Sequence, residues 1–506
     1  MSIAALLAES SSDGRGSCEV SLYGGRAVAD PGVLVLSDRF DITLEAVSRV
    51  AWLGARVALA KKTLETMDRC AASFDAFVES RVRADPQALI YGVTSAPGDQ
   101  ATVALGPDAR ASRPSRLWTA MSYGDPLPSR VTRAIVLARL ANFLGGHAAV
   151  RSDVAIAVAG MLDGGPLPVV PAQSNGGAGE VLPLGTLFFG LSDRVELFAK
   201  ERMALINGSP CAAALIADTV LAGRARLAVA EQVFALVADI TDTPQEHYAP
   251  DLEELWGDEH EAAALGSLRT LLGDRSHAQQ SHQASVSLRI LPRILGASRR
   301  AQSFAENAAN VSLSSVTDNP VFLRPSGRHP EGAVYSTGGF HNAQAAPAID
   351  AVAFSHADLC QLSQRLSDHL FQHPTVAPLV GGDEWSVKPL HMAINGWAED
   401  ARAAAQPTLL SLGGFGQNDV PELAFLAWRK AAAVAQCLDG ALAGLVVLAS
   451  QALYRQGREA PRTMRVLIEH VRSIVPPVDE PRPIGSECQR LYERLTDAAT
   501  GGVAIA

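Results

Sequence analysis

Six long stretches rich in alanine and leucine constrain the fold of this chain more than any other feature of its sequence. Several of them exceed 20 residues, with apolar residues at spacings of three and four positions, which is the period of a helix with a buried face. Long antiparallel helices packed side by side are the simplest way to bury such faces. The sequence therefore predicts a mainly α fold with a long antiparallel helix bundle, formed by residues 211–240, 260–272, 287–309, 346–371, 386–405 and 423–456.

The first 200 residues are more mixed in composition, and they predict a smaller N-terminal region. We expect a strand at 33–36, a loop at 89–98, and helices at 44–64, 72–83, 130–145 and 153–162. Four prolines between positions 476 and 483 interrupt the helical pattern near the end of the chain. We therefore predict three parts, which are an N-terminal region (1–200), a central long-helix bundle (201–475) and a C-terminal tail (476–506).

The overall composition is that of a soluble protein with a large core. Hydrophobic residues make up 48% of the 506 residues and charged residues 19%, and the net charge of −10 argues against a nucleic-acid partner. The six cysteines are scattered without a Cys-x-x-Cys pair, which predicts a reducing cytoplasm and neither a metal site nor a disulfide framework. The longest uncharged apolar stretches, 203–217 and 440–454, are shorter than the ~20 residues that span a membrane, so we predict no membrane association.

A glycine-rich loop at 170–184 lies between apolar segments that contain proline. Its glycines stand at 176, 177 and 179, and they permit tight bends and the close approach of other groups. Further motifs precede and follow this loop, and their order along the chain is more specific than any one of them. They are Tyr91-Gly92-Val93, Tyr123-Gly124-Asp125-Pro126-Leu127-Pro128, Ala204-Leu205-Ile206-Asn207-Gly208-Ser209, the segment 283–292, Thr317-Asp318-Asn319-Pro320, Gly338-Gly339-Phe340-His341 and Gln417-Asn418-Asp419-Val420.

This order of motifs resembles that of the histidine and phenylalanine ammonia-lyase family, over roughly residues 40 to 460. In that family the glycine-rich loop reads Gly-Ala-Ser-Gly-Asp-Leu-x-Pro-Leu. Its Ala-Ser-Gly cyclises and dehydrates into an electrophilic prosthetic group, methylideneimidazolone (MIO). This chain has Gly177-Ala178-Gly179 at those three positions. Because Ala178 has no hydroxyl to eliminate, we expect MIO to be absent and no other cofactor to replace it.

The resemblance implies three catalytic side chains. Tyr91 corresponds to the general base of the family; because a free phenol has a pKa near 10, this role needs positive potential, which helix N-termini can supply. Arg289 offers a planar fork that can hold a carboxylate. Asn207 can donate to the same carboxylate or to a reacting oxygen. The alternatives are a buried phenol for Tyr91, an ion pair for Arg289 and a turn for Asn207.

The resemblance also implies the residues that line the substrate pocket. Val286 stands where the family has a second tyrosine, Gly414 where some members carry a catalytic carboxylate, and Asn418 where the family has Gln or Glu. Asn319 fits a turn equally well, and an isolated Phe340 is more often plain core. The predicted substrate-binding residues are Trp118, Thr119, Gln283, Val286, Asn319, Phe340 and Asn418.

These departures decide which reactions the sequence predicts. Without MIO, the β-hydrogen of an amino acid is too weak an acid for a tyrosinate, so we expect no phenylalanine, tyrosine or histidine ammonia-lyase activity and no aminomutase activity. The first hypothesis is an MIO-independent lyase or cyclase of specialised metabolism, which acts by proton transfer on a carboxylate- or carbonyl-bearing substrate with its own activation.

The alternative hypothesis is a catalytically inactive scaffold or regulatory protein with the same helical framework. The missing serine and tyrosine favour it, whereas the retention of Tyr91, Asn207, Gln283 and Arg289 opposes it. The resemblance implies a homotetramer for either hypothesis. In that assembly, each site would draw Tyr91, the Gly177–Gly179 loop and the segment 283–289 from different subunits.

Overall fold

The chain first forms a small parallel sheet. The computed structural model describes residues 32–106, 117, 119–173, 177–273, 283–372, 387–411, 413–414, 416–480 and 482–501. Strands β1 (Val33–Leu36) and β2 (Arg56–Leu59) pair in parallel, with Leu34 opposite Val57. The strand predicted at 33–36 is therefore confirmed.

The helix predicted over 44–64 is wrong in its second half. Helix α1 covers only Leu44–Val47 and continues as a π-turn over Ser48–Trp52. Gly54 follows at φ +80°, a left-handed conformation that ends a helix, and the chain then enters β2. The apolar run in β2 is too short for its periodicity to distinguish a strand from a helix.

Five helices connect this sheet to the bundle. They confirm the helices predicted at 72–83, 130–145 and 153–162, and the segment 89–98 is irregular as predicted. The five helices are α2 (Lys61–Ala84), α3 (Ser129–Leu144), α4 (Ser152–Gly160), α5 (Val181–Phe188) and α6 (Ala199–Ile206).

Long helices form the bundle, as the alanine- and leucine-rich stretches predict. These elements are α7 (Pro210–Ile240), α8 (Asp251–Trp256), α9 (Glu259–Leu272), α10 (Val286–Arg289), α11 (Leu291–Ser314), α12 (Ala345–Gln372), α13 (Leu390–Ala404) and α14 (Ala424–Gln456). An antiparallel hairpin of β3 (Val321–Leu323) and β4 (Ala333–Tyr335) lies between α11 and α12. Helices α15 (Arg465–Ile474) and α16 (Gly485–Ala499) follow.

Helix α7 runs through both large clusters of the core. Its first half packs into a cluster with α3, and its second half packs into a second cluster with α14. Ion pairs join Arg224 to Glu306 and Glu231 to Arg299, so α7 and α11 are antiparallel. With 31 residues, α7 is about 45 Å long at 1.5 Å per residue.

Two helical segments are long and apolar enough to span a membrane by length and composition. They are Ala199–Ile240 and Ala424–Gln456, and 94% and 83% of their most apolar windows are buried inside the molecule. Burial of this degree is typical of core helices. The tail predicted at 476–506 includes α16, whose Leu491 and Leu495 join the second core cluster. The division into three parts stays a prediction.

Candidate functional site

The glycine-rich loop ends in a tight turn at Gly177–Glu180, just before α5. Gly177 has an extended backbone, whereas Gly179 at φ +69° and Glu180 at φ +56° are both left-handed. Such a conformation costs a non-glycine residue about 1 to 2 kcal/mol, so strong contacts must hold Glu180 in place. The side chain of Ala178, between the two glycines, is a methyl group. Residues 174–176 of the loop lie outside the described part.

The Glu180 carboxylate provides the contacts that hold this turn. It is fully buried, and its two oxygens accept hydrogen bonds from the backbone N–H groups of Cys211 (2.6 Å) and Ala212 (2.7 Å) in the first turn of α7. Burial and the nearby Glu422 raise the pKa of Glu180 to about 8, although the two backbone donors oppose this rise. The turn is therefore fastened to the N-terminal end of α7.

Asn207 lies directly against this turn. It ends α6 and is buried, and a β-carbon on Gly179 would come within 3.3 Å of both its amide oxygen and its amide nitrogen. The next residue, Gly208, donates its N–H to the carbonyl of Gly179 at 3.2 Å. Among the described residues, Asn207 Oδ1 has no hydrogen-bond partner. The structure therefore brings Asn207 to Gly179 of the glycine turn, and its catalytic role stays a prediction.

The Tyr91 loop packs on the same helix as Asn207. A β-carbon on Gly92 would collide with the side chain of Met203, and the Met203 carbonyl accepts the N–H of Asn207 one helical turn later at 3.0 Å. The half-buried Tyr91 accepts a hydrogen bond from the N–H of Gly98 at its Oη, at 3.1 Å. The Tyr91 loop and Asn207 thus pack on the same helix of one chain, and the expectation that Tyr91 and the glycine loop of a site come from different subunits stays a prediction.

A second loop, described at 413–414 and 416–420, closes against the Tyr91 loop. Asp99 Oδ1 accepts the N–H of Gln417 at 3.1 Å, which joins the two loops across more than 300 positions of sequence. A side chain at Gly414 would collide with the backbone carbonyl of Asn418. The loop therefore has no room for a carboxylate at 414, and Asn418 is half-buried beside it.

The remaining predicted pocket residues near this end have mixed roles. Thr119 is buried and packs against Gly185 of α5, where a β-carbon would collide with its hydroxyl. Asn319 Oδ1 accepts the backbone N–H of Thr337 at 2.8 Å, so its side chain joins the segment before β3 to the segment after β4, and its role in a site stays a prediction. Phe340 is half-buried. The predicted Trp118 lies outside the described residues.

Arg289, Gln283 and Val286 lie at the opposite end of α7. The hydroxyl of Tyr248, eight residues beyond α7, donates to the carbonyl of Leu288 at 2.8 Å and so holds the Arg289 segment there. Since Asn207 precedes α7 and this helix is about 45 Å long, one chain does not bring Arg289 to Asn207. Arg289 Nε is buried without a hydrogen-bond partner in the described part of the chain, whereas Val286 is 58% exposed.

A surface cavity of about 480 Å³ lies away from both groups of residues. It opens between α9, α11 and α12, and Asp258, Arg300 and Phe304 line it. None of the predicted site residues contributes to its wall. Within the ranges the structure describes, no group of three or more His, Cys, Asp or Glu side chains is arranged to hold a metal ion.

Sequence reasoning missed three charged residues that organise the site. Glu180 fastens the glycine turn, the N–H of Glu422 donates to the Gly177 carbonyl at 3.2 Å, and Arg139 is buried beneath Asn207. Each is a charged residue next to or within an apolar segment. Because buried charges are rare unless paired, that pattern is the signal that could have identified them.

A mainly helical chain that gathers a tyrosine loop, a glycine turn and an asparagine at one end of a long helix defines an ammonia-lyase type of fold. The model of the aromatic amino acid lyase family matches residues 42–194 and 189–473. The chain belongs to the aromatic amino acid lyase family, and the resemblance seen in its motifs is confirmed.

Relatives in this family are similar over almost their full length. The histidine ammonia-lyase of Gloeobacter violaceus is 26% identical, with 91% of this chain and 95% of that protein covered. The histidine ammonia-lyase of Deinococcus radiodurans is 27% identical, with coverages of 90% and 92%.

Solved structures show the same fold at lower identity. Ergothionase from Treponema denticola has a TM-score of 0.81 at 16% identity, and the alignment covers 92% of this chain and 99% of that one. Histidine ammonia-lyase from Trypanosoma cruzi has a TM-score of 0.79 at 20% identity, with coverages of 93% and 94%. Tyrosine aminomutase from Streptomyces globisporus has a TM-score of 0.77 at 21% identity, with coverages of 93% and 97%.

Proposed function

We propose that this member of the aromatic amino acid lyase family is an MIO-independent lyase or cyclase. Its substrate carries a carboxylate or carbonyl group and its own activation, either a good leaving group or a conjugated double bond. The reaction is β-elimination in one direction and conjugate addition or cyclisation in the other. Tyr91 transfers the proton. The enzyme acts in specialised metabolism in the cytoplasm. The five described cysteines, all free thiols, support a reducing compartment.

One observation carries this proposal, which is the methyl group of Ala178 in the turn beside Asn207. The residues present do not fit MIO, because dehydration of the family's loop requires a serine hydroxyl and Ala178 has none. No step of the proposed reaction therefore passes through that group. The turn keeps the left-handed Gly179 and its contact with Asn207, so the framework of the site is retained without its electrophile.

The chemistry of the retained residues is proton transfer with stabilisation of an anion. In elimination, Tyr91 removes the proton next to the carboxylate or carbonyl carbon, the C–H electrons form the double bond, and the leaving group departs with its bonding pair. The Asn207 amide, which has an unpartnered oxygen and lies beside the turn, donates through Nδ2 to the developing oxyanion. In the reverse direction, Tyr91 returns the proton after the nucleophile adds.

Arg289 serves as the carboxylate clamp only if a second copy of the chain supplies it. Its distance from Asn207, set by the length of α7, supports a homotetramer in which Arg289, Gln283 and Val286 of one chain complete the site of another. Light scattering tests this assembly. A monomer with full activity would contradict the shared site.

The test of the proposed function is Tyr91→Phe against the wild type on two panels of substrates. One panel contains phenylalanine, tyrosine and histidine, and the other contains β-substituted or α,β-unsaturated carboxylic acids. We expect turnover only on the second panel, and a loss of about a hundredfold or more in Tyr91→Phe with an unchanged melting temperature. Unchanged turnover in Tyr91→Phe would remove the base from the proposal.

The intact mass provides an independent check. Formation of MIO removes two water molecules, so the wild-type chain is expected at the full mass of its sequence, 53.2 kDa. A mass lower by two waters would contradict the MIO-independent reaction directly.

An inactive scaffold is the second candidate, and one contact favours it. The Tyr91 hydroxyl oxygen already accepts a hydrogen bond from Gly98 of its own loop, as in a purely structural tyrosine. The two candidates differ in their response to Tyr91→Phe, since a scaffold loses no activity and keeps its assembly. Loss of turnover in the assembled variant would exclude the scaffold.

A further inference from the structure

Arg139 is a fully buried cation beneath Asn207 that the proposed reaction does not yet use. It lies on α3 with no exposed surface, and its Nη1 donates to the carbonyls of Ala204 (2.6 Å) and Asn207 (2.7 Å). These carbonyls belong to the C-terminal end of α6, where the helix leaves its last acceptors unpaired. Arg139 therefore caps the helix that delivers Asn207 to the glycine turn.

The guanidinium also fits closely under the peptide that follows. A β-carbon on Gly208 would lie 2.5 Å from Arg139 Nη2, and Gly208 adopts φ +137°, which L side chains rarely adopt. On its other side, Gly208 donates its N–H to the Gly179 carbonyl at 3.2 Å. The Asn207–Gly208 peptide is thus held between Arg139 and the turn that contains Ala178.

Among the described residues, no carboxylate forms an ion pair with Arg139, although acidic side chains lie near it. The carboxylate of Asp318 acts on Arg139 electrostatically, as does Glu180 when it is ionised, and Asp318 forms its own buried ion pair with Lys200. Burial lowers the pKa of Arg139, but a guanidinium stays protonated in proteins. In the described part of the chain, Arg139 Nε and Nη2 have no hydrogen-bond partner.

We propose that Arg139 is a positioning residue that acts through Asn207. It fixes the Asn207–Gly208 peptide so that the Asn207 amide stays against Gly179, and it places a positive charge behind that amide. The site is thereby suited to a substrate that develops negative charge on an oxygen beside Ala178, such as an enolate. This inference rests on the proposed function, in which Asn207 stabilises that oxygen.

The same helix offers a matched control. Arg133 also donates to backbone carbonyls, those of Val50 (2.9 Å), Ala55 (3.3 Å) and Leu162 (3.2 Å), but it lies away from the glycine turn. If Arg139 were only a brace of the fold, Arg139→Lys and Arg133→Lys would have the same kind of effect. Lysine keeps the charge but lacks the planar fork that reaches two carbonyls.

Hydrogen–deuterium exchange of the full-length protein tests the positioning without any substrate. We expect Arg139→Lys to speed exchange about tenfold or more in peptides that cover 177–182 and 203–209, and Arg133→Lys to leave those peptides unchanged. Gly208→Ala, whose β-carbon displaces the guanidinium, is the second variant and is expected to act like Arg139→Lys. Unchanged exchange at both peptides in Arg139→Lys would overturn the assignment.

Turnover then tests the link to Asn207. We expect Arg139→Lys to lower kcat about tenfold to a hundredfold with KM within about twofold, and to add nothing in an Asn207→Ala background. Losses that add independently would overturn the assignment, as would unfolding of both Arg139→Lys and Gly208→Ala while Arg133→Lys folds normally. Suppose that Arg139→Lys alters the exchange pattern as expected, but that turnover does not depend on Tyr91. The positioning role of Arg139 would then stand, and only the proposed function would be rejected.

Discussion

The side-chain amide of Asn207 lies against the backbone of Gly179, where an added β-carbon would be 3.3 Å from both amide heteroatoms. We predict that Gly179→Ala moves this amide and strains the turn, because Gly179 has φ +69°. The expected loss is about 1 to 2 kcal/mol of stability and most of the turnover, measured by thermal unfolding and activity assay.

Gly177→Ala is the matched control for this substitution, two residues away in the same turn. Gly177 has φ −131° and open space where its β-carbon would lie, so the variant should resemble the wild type. Equal losses in the two variants would show that an added methyl group at either glycine disturbs the turn, and that the contact with Asn207 is not the reason.

The buried Glu180 predicts a specific dependence of stability on pH. Its pKa is raised from 4.5 to about 8 by burial and by Glu422, so the folded chain holds a proton that the unfolded chain releases above pH 4.5. The stabilising effect of this proton is complete below pH 4.5 and is lost as the pH rises to about 8, by up to about 1.4 kcal/mol per pH unit.

Glu180→Gln cannot titrate, so its stability should lack this decline between pH 4.5 and 8. Unfolding midpoints measured across that range, with the exposed Glu65→Gln on α2 as a control, provide the test. If Glu180→Gln declines as steeply as the wild type, another group carries the pH dependence.

A substitution at Gly414 is expected to disturb the loop that is hydrogen-bonded to Asp99. Because its β-carbon would collide with the carbonyl of Asn418, Gly414→Ala must displace the loop, and we expect at least a tenfold loss of turnover. The neighbouring Gly413→Ala meets only the Ser411 hydroxyl at 3.3 Å and should be mild. Steady-state kinetics of the two variants side by side measure the difference, and similar values would show that this loop does not shape the site.

Replacing the buried His356 by an apolar residue is expected to raise the stability of the folded chain. It is buried in α12, and neither ring nitrogen has a hydrogen-bond partner among the described residues. Burial and the charge of Arg226 lower its pKa from 6.5 to about 3, so the unfolded chain takes up a proton first and the folded state loses stability as the pH falls from 6.5 to 3.

His356→Leu should raise the melting temperature near neutral pH and remove the His356 contribution to acid sensitivity. His356→Gln separates the two effects, since it also cannot titrate but keeps an unpaired polar group. Calorimetry at several pH values distinguishes them. A melting temperature lowered in His356→Leu would indicate a buried water or another partner for the ring.

The helical period predicted the bundle because each long stretch buries an apolar face against its neighbours. It gave α7 and α14 almost to the residue, whereas the short segment 44–64 was misread. Either a strand or a helix over this segment would bury Val57, and only the pairing of the segment with β1 decides that it is a strand. Local periodicity carries no information on such pairing.

The candidate site was predicted less completely, for a geometric reason. Motifs identified Tyr91, Asn207 and Arg289 as chemically suited residues, but their separation in space depends on the length and direction of α7. The sequence pattern left a site role and a turn equally open for Asn319, and its side chain accepts the backbone N–H of Thr337, 18 positions away. Glu180 and Arg139 were missed because their contacts are to backbone groups, which no side-chain motif records.

Helix α7 fixes the distance between Asn207 and the Arg289 segment within one chain. Asn207 stands just before its first residue, and Tyr248 anchors the Arg289 segment just past its last. One residue inserted into α7 would lengthen the helix by about 1.5 Å and rotate the part of the chain after the insertion by about 100° about the helix axis. Insertions and deletions in natural variants of this chain should therefore fall in its loops, while the number of residues between Ser209 and Thr241 stays constant.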